Sequence, residues 1–218
     1  DIGHGPFSHT TEATLAGIKS HEEISLDLMK NLNEELNGAL DVAIAIFTNQ
    51  YHKKFMHQLI VGQIDLDRMD YLKRDSFYSG ATEGNINSKR IIEMISVVDD
   101  QLAFEEKCIY SIEKFLMARR LMYWQVYLHK TSISAEFLLV KILERVRHCV
   151  ENGNSPSLSP ALAFFMSQKI SKSDFSGDSL EKFITLDDSD IIQGLKTWQY
   201  HDDFILSKMS KMLIERNL

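Results

Sequence analysis

The sequence is poor in the residues that interrupt helices and in those that crosslink chains. It holds 3 proline, 10 glycine and 2 cysteine residues among 218. So few prolines and glycines exclude a collagen-like or low-complexity disordered chain. Two cysteines, Cys108 and Cys149, make neither a disulfide framework nor a zinc ligand set. They favour a reducing compartment, and we expect a cytoplasmic protein.

Long apolar runs and an excess of basic charge are also missing. No stretch approaches the roughly 18 consecutive apolar residues of a membrane-spanning helix, so the sequence predicts none. The formal net charge is −7 at pH 7, whereas general nucleic-acid binders are usually basic. Nucleic acid is therefore not an expected partner. A small anionic ligand is compatible with this charge, because a few Lys and Arg side chains can form a local positive pocket.

The hydrophobic pattern predicts a mostly α protein. Apolar residues four apart predict a helix over 21–36, and a long helix is predicted over 54–78. Residues 97–109 mix acidic residues with Val, Leu and Phe, which predicts a small β-hairpin, and two or more helices are predicted over 111–147.

A turn-rich segment, NGNSPSLSP at 152–160, is the clearest boundary in the chain. It is compatible with a domain linker or with a loop between helices. We predict a first domain over 1–150 and a helical C-terminal extension over 151–218.

The first motif that carries chemistry is DIGHGPFSH, residues 1–9. Asp1, His4 and His9 place one carboxylate and two imidazoles within nine residues, and the glycines between them let the backbone approach a ligand closely. Histidine can bind metal, donate to phosphate or move protons near neutral pH. The alternative is a surface turn with two incidental histidines.

A second motif, IDLDRMDYLKRD at 64–75, forms a polar stripe on a predicted helix. Asp67, Tyr71, Arg74, Asp75 and Tyr78 follow helical spacing and mix carboxylates, aromatic rings and a guanidinium. The alternative is a solvated helix face with ion pairs between successive turns.

A third motif is a basic and aromatic stripe. Arg119, Tyr123, Tyr127 and Lys130 also follow helical spacing. Such a stripe suits a nucleotide, because Arg and Lys bind phosphates and Tyr stacks on a base. The alternative is an amphipathic helix whose tyrosines pack on the core.

The pair His21-Glu22 at the start of a predicted helix is a fourth candidate. A histidine beside a carboxylate can form an acid–base unit. The alternative is negative charge that complements the helix dipole.

Together, the first two motifs resemble the HD-domain superfamily. Residues 1–9 are similar to the continuation of a family stretch that reads HD, a hydrophobic residue, then GHGPFSH, and Asp1 would be the Asp of that doublet. Residues 64–71 are similar to the later family motif D-x-D-[KR]-x-D-Y. The combination resembles the branch that contains deoxynucleoside triphosphate triphosphohydrolases. The resemblance runs from Asp1 to about Lys130 and implies a helical HD-domain bundle.

The resemblance implies a metal-dependent reaction at the α-phosphate. Asp1 and Asp67 would bind a divalent transition metal, which could be manganese, iron, cobalt, nickel or zinc, with magnesium as an alternative. Four residues would act near the α-phosphate as proton donors or orienting groups: His4, His9, His21 and Glu22.

The resemblance also implies the substrate contacts. Arg68 and Arg119 would hold phosphates. Tyr71 and Asp75 would contact the sugar, where an acceptor near the 3′-hydroxyl would help to select a deoxynucleotide. The remaining two contacts would be a base-stacking ring and a phosphate or effector contact: Tyr127 and Lys130.

One departure from the family pattern concerns the metal ligands. The family's upstream His and the His of its doublet do not occur in this sequence, so two of four protein ligands remain. We therefore expect a fragment that lacks its N-terminal part, with activity in the full-length parent and little in the fragment itself. A second doublet, His201-Asp202, lies far down the chain and is not expected to be a metal site.

The sequence thus predicts an enzyme that hydrolyses deoxynucleoside triphosphates to deoxynucleoside and triphosphate. An HD phosphohydrolase that acts on another nucleotide or phosphomonoester is one alternative, and a noncatalytic nucleotide-binding HD scaffold is another. The expected partners are a nucleotide substrate, a nucleotide effector and further copies of the chain in a homo-oligomer.

Overall fold

The fold is mostly helical, as predicted. The structure, a computed structural model, describes residues 2–8, 10, 14, 19–168, 170–172 and 174–218. Within these residues the α-helices are α1 (His21–Glu35), α2 (Asp41–Phe47), α3 (Lys54–Gln58), α4 (Leu66–Ser79), α5 (Ser88–Glu93), α6 (Ile109–Met122), α7 (Lys130–Glu151), α8 (Pro160–Ser167), α9 (Asp178–Ile184), α10 (Asp188–Trp198) and α11 (Phe204–Ile214). Among the described helices, none combines the length and the apolar character needed to cross a membrane.

The predicted β-hairpin is confirmed, and it begins and ends slightly earlier than expected. Strand β1 (Ile95–Val98) pairs antiparallel with β2 (Gln101–Phe104). The two turn residues, Asp99 and Asp100, have φ values of 49° and 59°, which match the twist of a two-residue hairpin turn. The strands end at Phe104 because the chain then enters a 3₁₀ turn at Glu106–Cys108.

The helix predicted over 54–78, whose start the sequence leaves open, is divided in the structure into α3 and α4, and the longer helix begins at Leu66. The break contains Gly62, and Asp65 caps the start of α4 by accepting a hydrogen bond of 2.7 Å from the backbone N–H of Arg68. An aspartate side chain that accepts from the first turn stabilises a helix start at that point. The periodicity on both sides of the break concealed this start.

The chain divides into two compact units. Unit 1 comprises Asp1–Glu35 and Ile133–Leu218, and unit 2 comprises Leu36–Ser132. In unit 1, residues before and after position 150 share one hydrophobic core, which includes Val146, Leu162 and the fully buried Trp198. The predicted boundary at 150 stays a prediction.

The turn-rich segment 152–160 is a loop held against α10. The indole N–H of Trp198 donates a hydrogen bond of 2.8 Å to the backbone oxygen of Ser157. A buried indole needs such an acceptor. Of the two interpretations of this segment, a loop between helices fits this contact.

The core of unit 2 lies between α4 and α6. Met69 and Leu72 of α4 are buried together with Phe115, Ala118 and Met122 of α6. Because these residues fix which faces of the two helices meet, they also fix where the polar stripes of both helices lie.

Candidate functional site

The first turn of α4 is held by a buried carboxylate. Asp65 is 1% exposed, and it accepts hydrogen bonds from the backbone N–H groups of Arg68 at 2.7 Å and Gly62 at 3.3 Å. The Arg68 guanidinium forms an ion pair with the same carboxylate and also donates to the backbone oxygen of Gly62 at 2.5 Å. These donors offset the cost of removing the Asp65 carboxylate from water. The same hydrogen bonds fix the orientation of the first turn of α4.

Asp67 lies in that first turn and is exposed. Its side chain has no hydrogen bond or ion pair to any residue that the structure describes. The carboxylate is therefore available to a ligand, as the predicted metal-binding role requires.

Asp75 and Tyr127 connect the two predicted stripes. The Tyr127 hydroxyl donates a hydrogen bond of 2.6 Å to Asp75 Oδ2, and the rings of Tyr71 and Tyr127 meet edge to face with centroids 6.1 Å apart. Burial raises the pKa of Tyr127, and the hydrogen bond to Asp75 and its charge raise it further. The phenol is therefore a neutral donor at physiological pH.

A π-helical turn places Tyr127 at this position. Residues Tyr123–Tyr127 continue α6 as a π-helix, a geometry that is rare and occurs often at functional sites. Tyr123 and Tyr127 also meet edge to face, with centroids 5.2 Å apart.

Arg119 lies beside these rings. Its guanidinium carbon is 5.9 Å from the centroid of the Tyr123 ring, and its Nη1 donates a hydrogen bond of 3.3 Å to Gln63 Oε1. Burial raises the pKa of Tyr71, and the nearby Tyr123 adds to the shift, whereas the Arg119 charge opposes it. The residues of the α4–α6 cluster are thus Asp67, Arg68, Tyr71, Asp75, Arg119, Tyr123 and Tyr127.

Three residues of the predicted stripes lie away from the α4–α6 cluster. Arg74 forms an exposed ion pair with Asp70, and Tyr78 is 80% exposed beside Phe77. Lys130 begins α7 and is exposed, and in the described part of the chain its side chain contacts no acid or carbonyl. Its predicted role stays a prediction.

A second cluster lies in unit 1, at the start of α1. The rings of His4 and His21 stack with centroids 4.2 Å apart and planes inclined by 18°. Ser8 Oγ and His4 Nδ1 share a hydrogen bond of 2.7 Å, and His21 Nε2 lies 3.1 Å from Glu22 Oε1. We call His4, Ser8, His21 and Glu22 the histidine cluster.

Glu22 is ionised at neutral pH. A hydrogen bond from the Ser20 side chain lowers its pKa most, and the charges of His21 and His4 lower it further. An ionised carboxylate accepts a hydrogen bond, so it favours the form of the imidazole in which the nearby ring nitrogen, here His21 Nε2, carries a hydrogen. The histidine cluster is therefore suited to holding and moving a proton.

Gly3 permits the contact between the His4 segment and α1. Its backbone N–H donates a hydrogen bond of 3.0 Å to Ser25 Oγ, and a Cβ at this position would lie 2.1 Å from the backbone oxygen of His21. No side chain fits in that space, so the glycine is required for close approach.

The start of α1 is stabilised independently by a capping box. Ser20 N–H donates to Glu23 Oε2 at 3.1 Å, and Glu23 N–H donates to Ser20 Oγ at 3.3 Å. This reciprocal pair satisfies two backbone donors at the helix start. It therefore fixes His21 as the first residue of α1. The neighbouring loop is also fastened, since Phe7 N–H donates to Asp188 Oδ1 at 2.9 Å.

Two predicted site residues, Asp1 and His9, lie outside the described residues, so their roles stay predictions. Over the part of the chain that is described, no group of three or more His, Cys, Asp or Glu residues is placed to hold a metal ion.

Sequence reasoning missed residues that support the site. Asp65 and Gln63 orient Arg68 and Arg119, and Ser8 contacts His4. Asp65 had a signal, because an aspartate three residues before Arg68 at the start of an apolar-periodic segment is typical of a helix cap. Gln63 had none, since its partner Arg119 lies 56 residues further along the chain. Ser8 had none, since its contact with His4 depends on the turn conformation of the loop that holds both residues and not on a helical or strand spacing.

Several known proteins are similar to this chain in sequence. Residues 86–157 match the family model described as an HD associated region. A protein of Dictyostelium discoideum named deoxynucleoside triphosphate triphosphohydrolase SAMHD1 homolog is 30% identical over 156 residues, which are 64% of this chain and 30% of that protein. The uncharacterized protein YwfO of Bacillus subtilis (strain 168) is 34% identical over 228 residues, which cover 100% of this chain and 50% of that protein.

A solved structure is also similar. The crystal structure of a phosphohydrolase from Bacteroides thetaiotaomicron VPI-5482 is 55% identical, with a TM-score of 0.97 over 100% of this chain and 54% of that one. The chain therefore spans about half the length of YwfO and of this phosphohydrolase.

Proposed function

The chain belongs to the HD-domain superfamily of phosphohydrolases, and from this premise we propose that the whole protein is a metal-dependent hydrolase of deoxynucleoside triphosphates. Its products are deoxynucleoside and inorganic triphosphate. The observation that carries the proposal is the Asp75–Tyr127 hydrogen bond beside Tyr71 and Arg119. A carboxylate, tyrosine rings and a guanidinium suit a sugar hydroxyl, a sugar ring and a phosphate.

The sugar is recognised by Asp75 and the tyrosines around it. A carboxylate has about four lone-pair sites, and Tyr127 uses one of them, so Asp75 can still accept a hydrogen bond from a 3′-hydroxyl. Tyr71 is half-buried beside Tyr127. A sugar packed on these rings loses water, and a ribonucleotide would bury its additional 2′-hydroxyl there at a cost.

Arg119 and Arg68 take the phosphates. Arg119 is oriented by Gln63 and by the Tyr123 ring, so less side-chain entropy is lost when it binds an anion. The Arg68 Nη1 group donates to Asp65 and Gly62, which leaves its Nη2 group for a phosphate oxygen. Both guanidiniums would offset the charge of the triphosphate chain and the charge that develops on the α-phosphoryl oxygens during attack.

The histidine cluster supplies the proton. In the proposed step a water oxygen bonds to the α-phosphorus, the bond from that phosphorus to the 5′-oxygen breaks, and the 5′-oxygen takes a proton as the deoxynucleoside leaves. His4 and His21 are the proposed donors, and the Glu22 carboxylate, 3.1 Å from His21 Nε2, would orient the His21 ring. The proton that the attacking water releases would return the donor to its protonated form. His9 is proposed as a further donor of the same kind.

Asp67 is proposed as a metal ligand, with Asp1 as a second. An exposed carboxylate suits a divalent transition metal such as manganese, iron, cobalt, nickel or zinc, or magnesium. The described residues do not make a metal centre on their own. When bound, such a metal lowers the pKa of a water and polarises a phosphoryl oxygen.

The test is a substrate panel with the whole protein. Each deoxynucleoside triphosphate, each ribonucleoside triphosphate and a simple phosphomonoester are incubated with each metal in turn. The proposal expects hydrolysis with a strong preference for deoxynucleotides, and Asp75→Ala should lower that preference, whereas Asp70→Ala, on the outer face of α4, should not. Equal hydrolysis of ribonucleotides or monoesters would contradict the assigned substrate. Nucleotide binding without hydrolysis under every metal would contradict the proposal that the protein is an enzyme.

A further inference from the structure

The loop that holds His4 contains two residues in a backbone conformation that side chains disfavour. Phe7 and Ser8 have φ values of 52° and 45°, and Ser8 N–H donates a hydrogen bond of 3.0 Å to the backbone oxygen of Gly5, which closes a turn. Glycine normally supplies the positive φ at the third position of such a turn, but here Phe7 occupies it. Backbone strain of this kind persists where surrounding contacts hold it, so we expect a contact from outside the loop.

The contact comes from the start of α10. Asp188 Oδ1 accepts the hydrogen bond of 2.9 Å from the backbone N–H of Phe7. The neighbours of Asp188 cap the helix: Asp187 accepts from the backbone N–H of Ser189 at 2.7 Å, and Asp190 accepts from the backbone N–H of Asp187 at 2.9 Å. Among the residues that the structure describes, Asp188 has no other hydrogen bond or ion pair. The cap of α10 therefore does not need the Asp188 side chain, which holds the loop instead.

Helix α10 gives this contact a rigid support. Ile191, one turn after Asp188, is fully buried in the core of unit 1, and Ile24 of α1 is buried in the same core. Because α1 and α10 contribute to one core, the start of α10 has a fixed position relative to the start of α1. His21 is the first residue of α1, so a loop that Asp188 holds is also held relative to His21.

The loop conformation determines the orientation of the His4 ring. Ser8 follows Phe7 directly, and its Oγ shares a hydrogen bond of 2.7 Å with His4 Nδ1. The direction of the Ser8 side chain depends on the backbone angles of Phe7 and Ser8. A loop that relaxed to negative φ values would turn the Ser8 hydroxyl away from His4. The His4 ring would then lose the hydrogen bond that fixes its rotation in the stack with His21.

We propose that Asp188 is a positioning residue for the reaction: it accepts the Phe7 N–H and thereby holds the loop in the conformation in which Ser8 orients the His4 imidazole. Asp188 acts through the loop and does not itself contact the substrate. The role rests on the proposed function, because it serves the proton transfer assigned to His4 and His21. A reacting group that is displaced by about 1 Å can lose up to about 100-fold in rate, so a contact outside the histidine cluster can control the reaction.

The test compares Asp188→Ala with Asp188→Asn in the whole protein with a bound divalent metal. Alanine removes the acceptor, whereas asparagine retains an oxygen that can accept from the Phe7 N–H. With the best substrate of the panel, we expect kcat to fall about tenfold in Asp188→Ala. KM should change by less than about twofold, because the phosphate and sugar contacts are assigned to other residues. Asp188→Asn should retain most of kcat, and equal losses in the two variants would contradict the hydrogen-bonding role.

The matched control is Asp187→Ala, at the preceding position. This variant removes the N-cap of α10 and leaves the acceptor for Phe7 in place. It should lower the melting temperature and retain kcat. A loss of kcat as large as that of Asp188→Ala would show that the stability of α10, and not the hydrogen bond to Phe7, limits the reaction.

Amide hydrogen exchange measures the contact without any reaction. Mass spectrometry of the peptide that contains Phe7 should show faster exchange in Asp188→Ala than in the wild type or in Asp188→Asn. Unchanged exchange in Asp188→Ala would overturn the contact, and faster exchange with a normal kcat would overturn the positioning role. If the whole protein hydrolyses no substrate of the panel, the proposed function fails and the positioning role fails with it. The exchange result would still show separately whether Asp188 holds the loop.

Discussion

The Tyr127 hydroxyl donates a hydrogen bond of 2.6 Å to Asp75, a residue 52 positions earlier in the chain. This bond joins the end of the π-helical turn to the third turn of α4 and lies beside the edge-to-face contact of Tyr71 and Tyr127. It therefore has two consequences, one for the stability of unit 2 and one for the orientation of the Asp75 carboxylate toward a substrate.

Replacing Tyr127 by Phe should lower the stability of unit 2 and loosen the orientation of the Asp75 carboxylate. A hydrogen bond to a charged acceptor contributes about 1.5–3 kcal/mol to stability when buried, and this half-buried one should contribute at the lower end. We expect the free energy of unfolding to fall by about 1–2 kcal/mol. The ratio of kcat/KM for a deoxynucleotide to that for its ribonucleotide should fall as well, because Asp75 is no longer held.

The matched control for this prediction is Tyr123→Phe. Tyr123 occupies the same π-helical turn, and within the described residues its hydroxyl has no hydrogen bond. The variant keeps the ring contact with Tyr127 and should leave stability and selectivity nearly unchanged. Equal losses in the two variants would show that the Asp75 hydrogen bond has no special role.

Asp67→Asn should abolish hydrolysis and leave the fold intact. The exposed carboxylate supports no hydrogen bond or ion pair in the described part of the chain, so its loss should change the melting temperature little. An amide is a poor ligand for a divalent metal, and metal affinity measured by calorimetry on the whole protein should fall together with activity. Asp70→Asn, which breaks only the exposed pair with Arg74, should retain both. Full activity in Asp67→Asn would exclude it as a metal ligand.

Gly3→Ala should displace the His4 segment. The added Cβ would meet the backbone oxygen of His21 at 2.1 Å and the backbone nitrogen of Ser25 at 2.5 Å. Overpacking of this kind costs about 1–3 kcal/mol, and the His4–His21 stack should be lost with it. We expect lower stability in thermal unfolding and a fall in kcat.

A control separates that steric effect from the general effect of replacing a glycine. Gly153 has a φ of 75° and no neighbouring atom within 4 Å of an added Cβ, so Gly153→Ala carries backbone strain without a clash. It should destabilise the protein and leave kcat unchanged. A normal kcat in Gly3→Ala would mean that the His4–His21 stack is not needed for the reaction.

Acid should weaken a specific ion pair in unit 1. Arg145 donates to both carboxylate oxygens of Asp203, at 3.0 and 2.5 Å, and this lowers the pKa of Asp203 from 3.8 to about 2. Because the folded pKa lies below the unfolded one, the stabilisation is complete above pH 3.8 and is lost as the pH falls toward 2. The difference in unfolding free energy between the wild type and Asp203→Asn should therefore shrink over that window. A difference that does not change with pH would contradict this assignment.

The α4–α6 cluster was predictable from the sequence because both halves obey helical spacing. Asp67, Tyr71 and Asp75 are four residues apart, as are Arg119, Tyr123 and Tyr127, so each set lies on one helix face. The spacing could not show that the two faces meet. That depends on the core between Leu72 and Phe115, which is a tertiary contact between segments far apart in the chain.

Other features were not predictable for identifiable physical reasons. The break between α3 and α4 was missed because the apolar periodicity continues through it, although Gly62 and the Asp65 cap are both present. The π-helical turn at Tyr123–Tyr127 was missed because no residue type distinguishes it from an α-helix. The stack of His4 on His21 requires the loop that holds His4 to pack against the start of α1. The spacing of residues in the sequence does not predict this contact.

The most direct test of the proposed reaction is to follow the oxygen of the attacking water. The whole protein with a bound divalent metal hydrolyses a deoxynucleoside triphosphate in water enriched in ¹⁸O, and the products are analysed by ³¹P NMR and mass spectrometry. Attack at the α-phosphorus predicts inorganic triphosphate that carries the label on one terminal phosphorus, and an unlabelled deoxynucleoside. Deoxynucleoside monophosphate or diphosphate as the product, or label in the deoxynucleoside, would contradict the account.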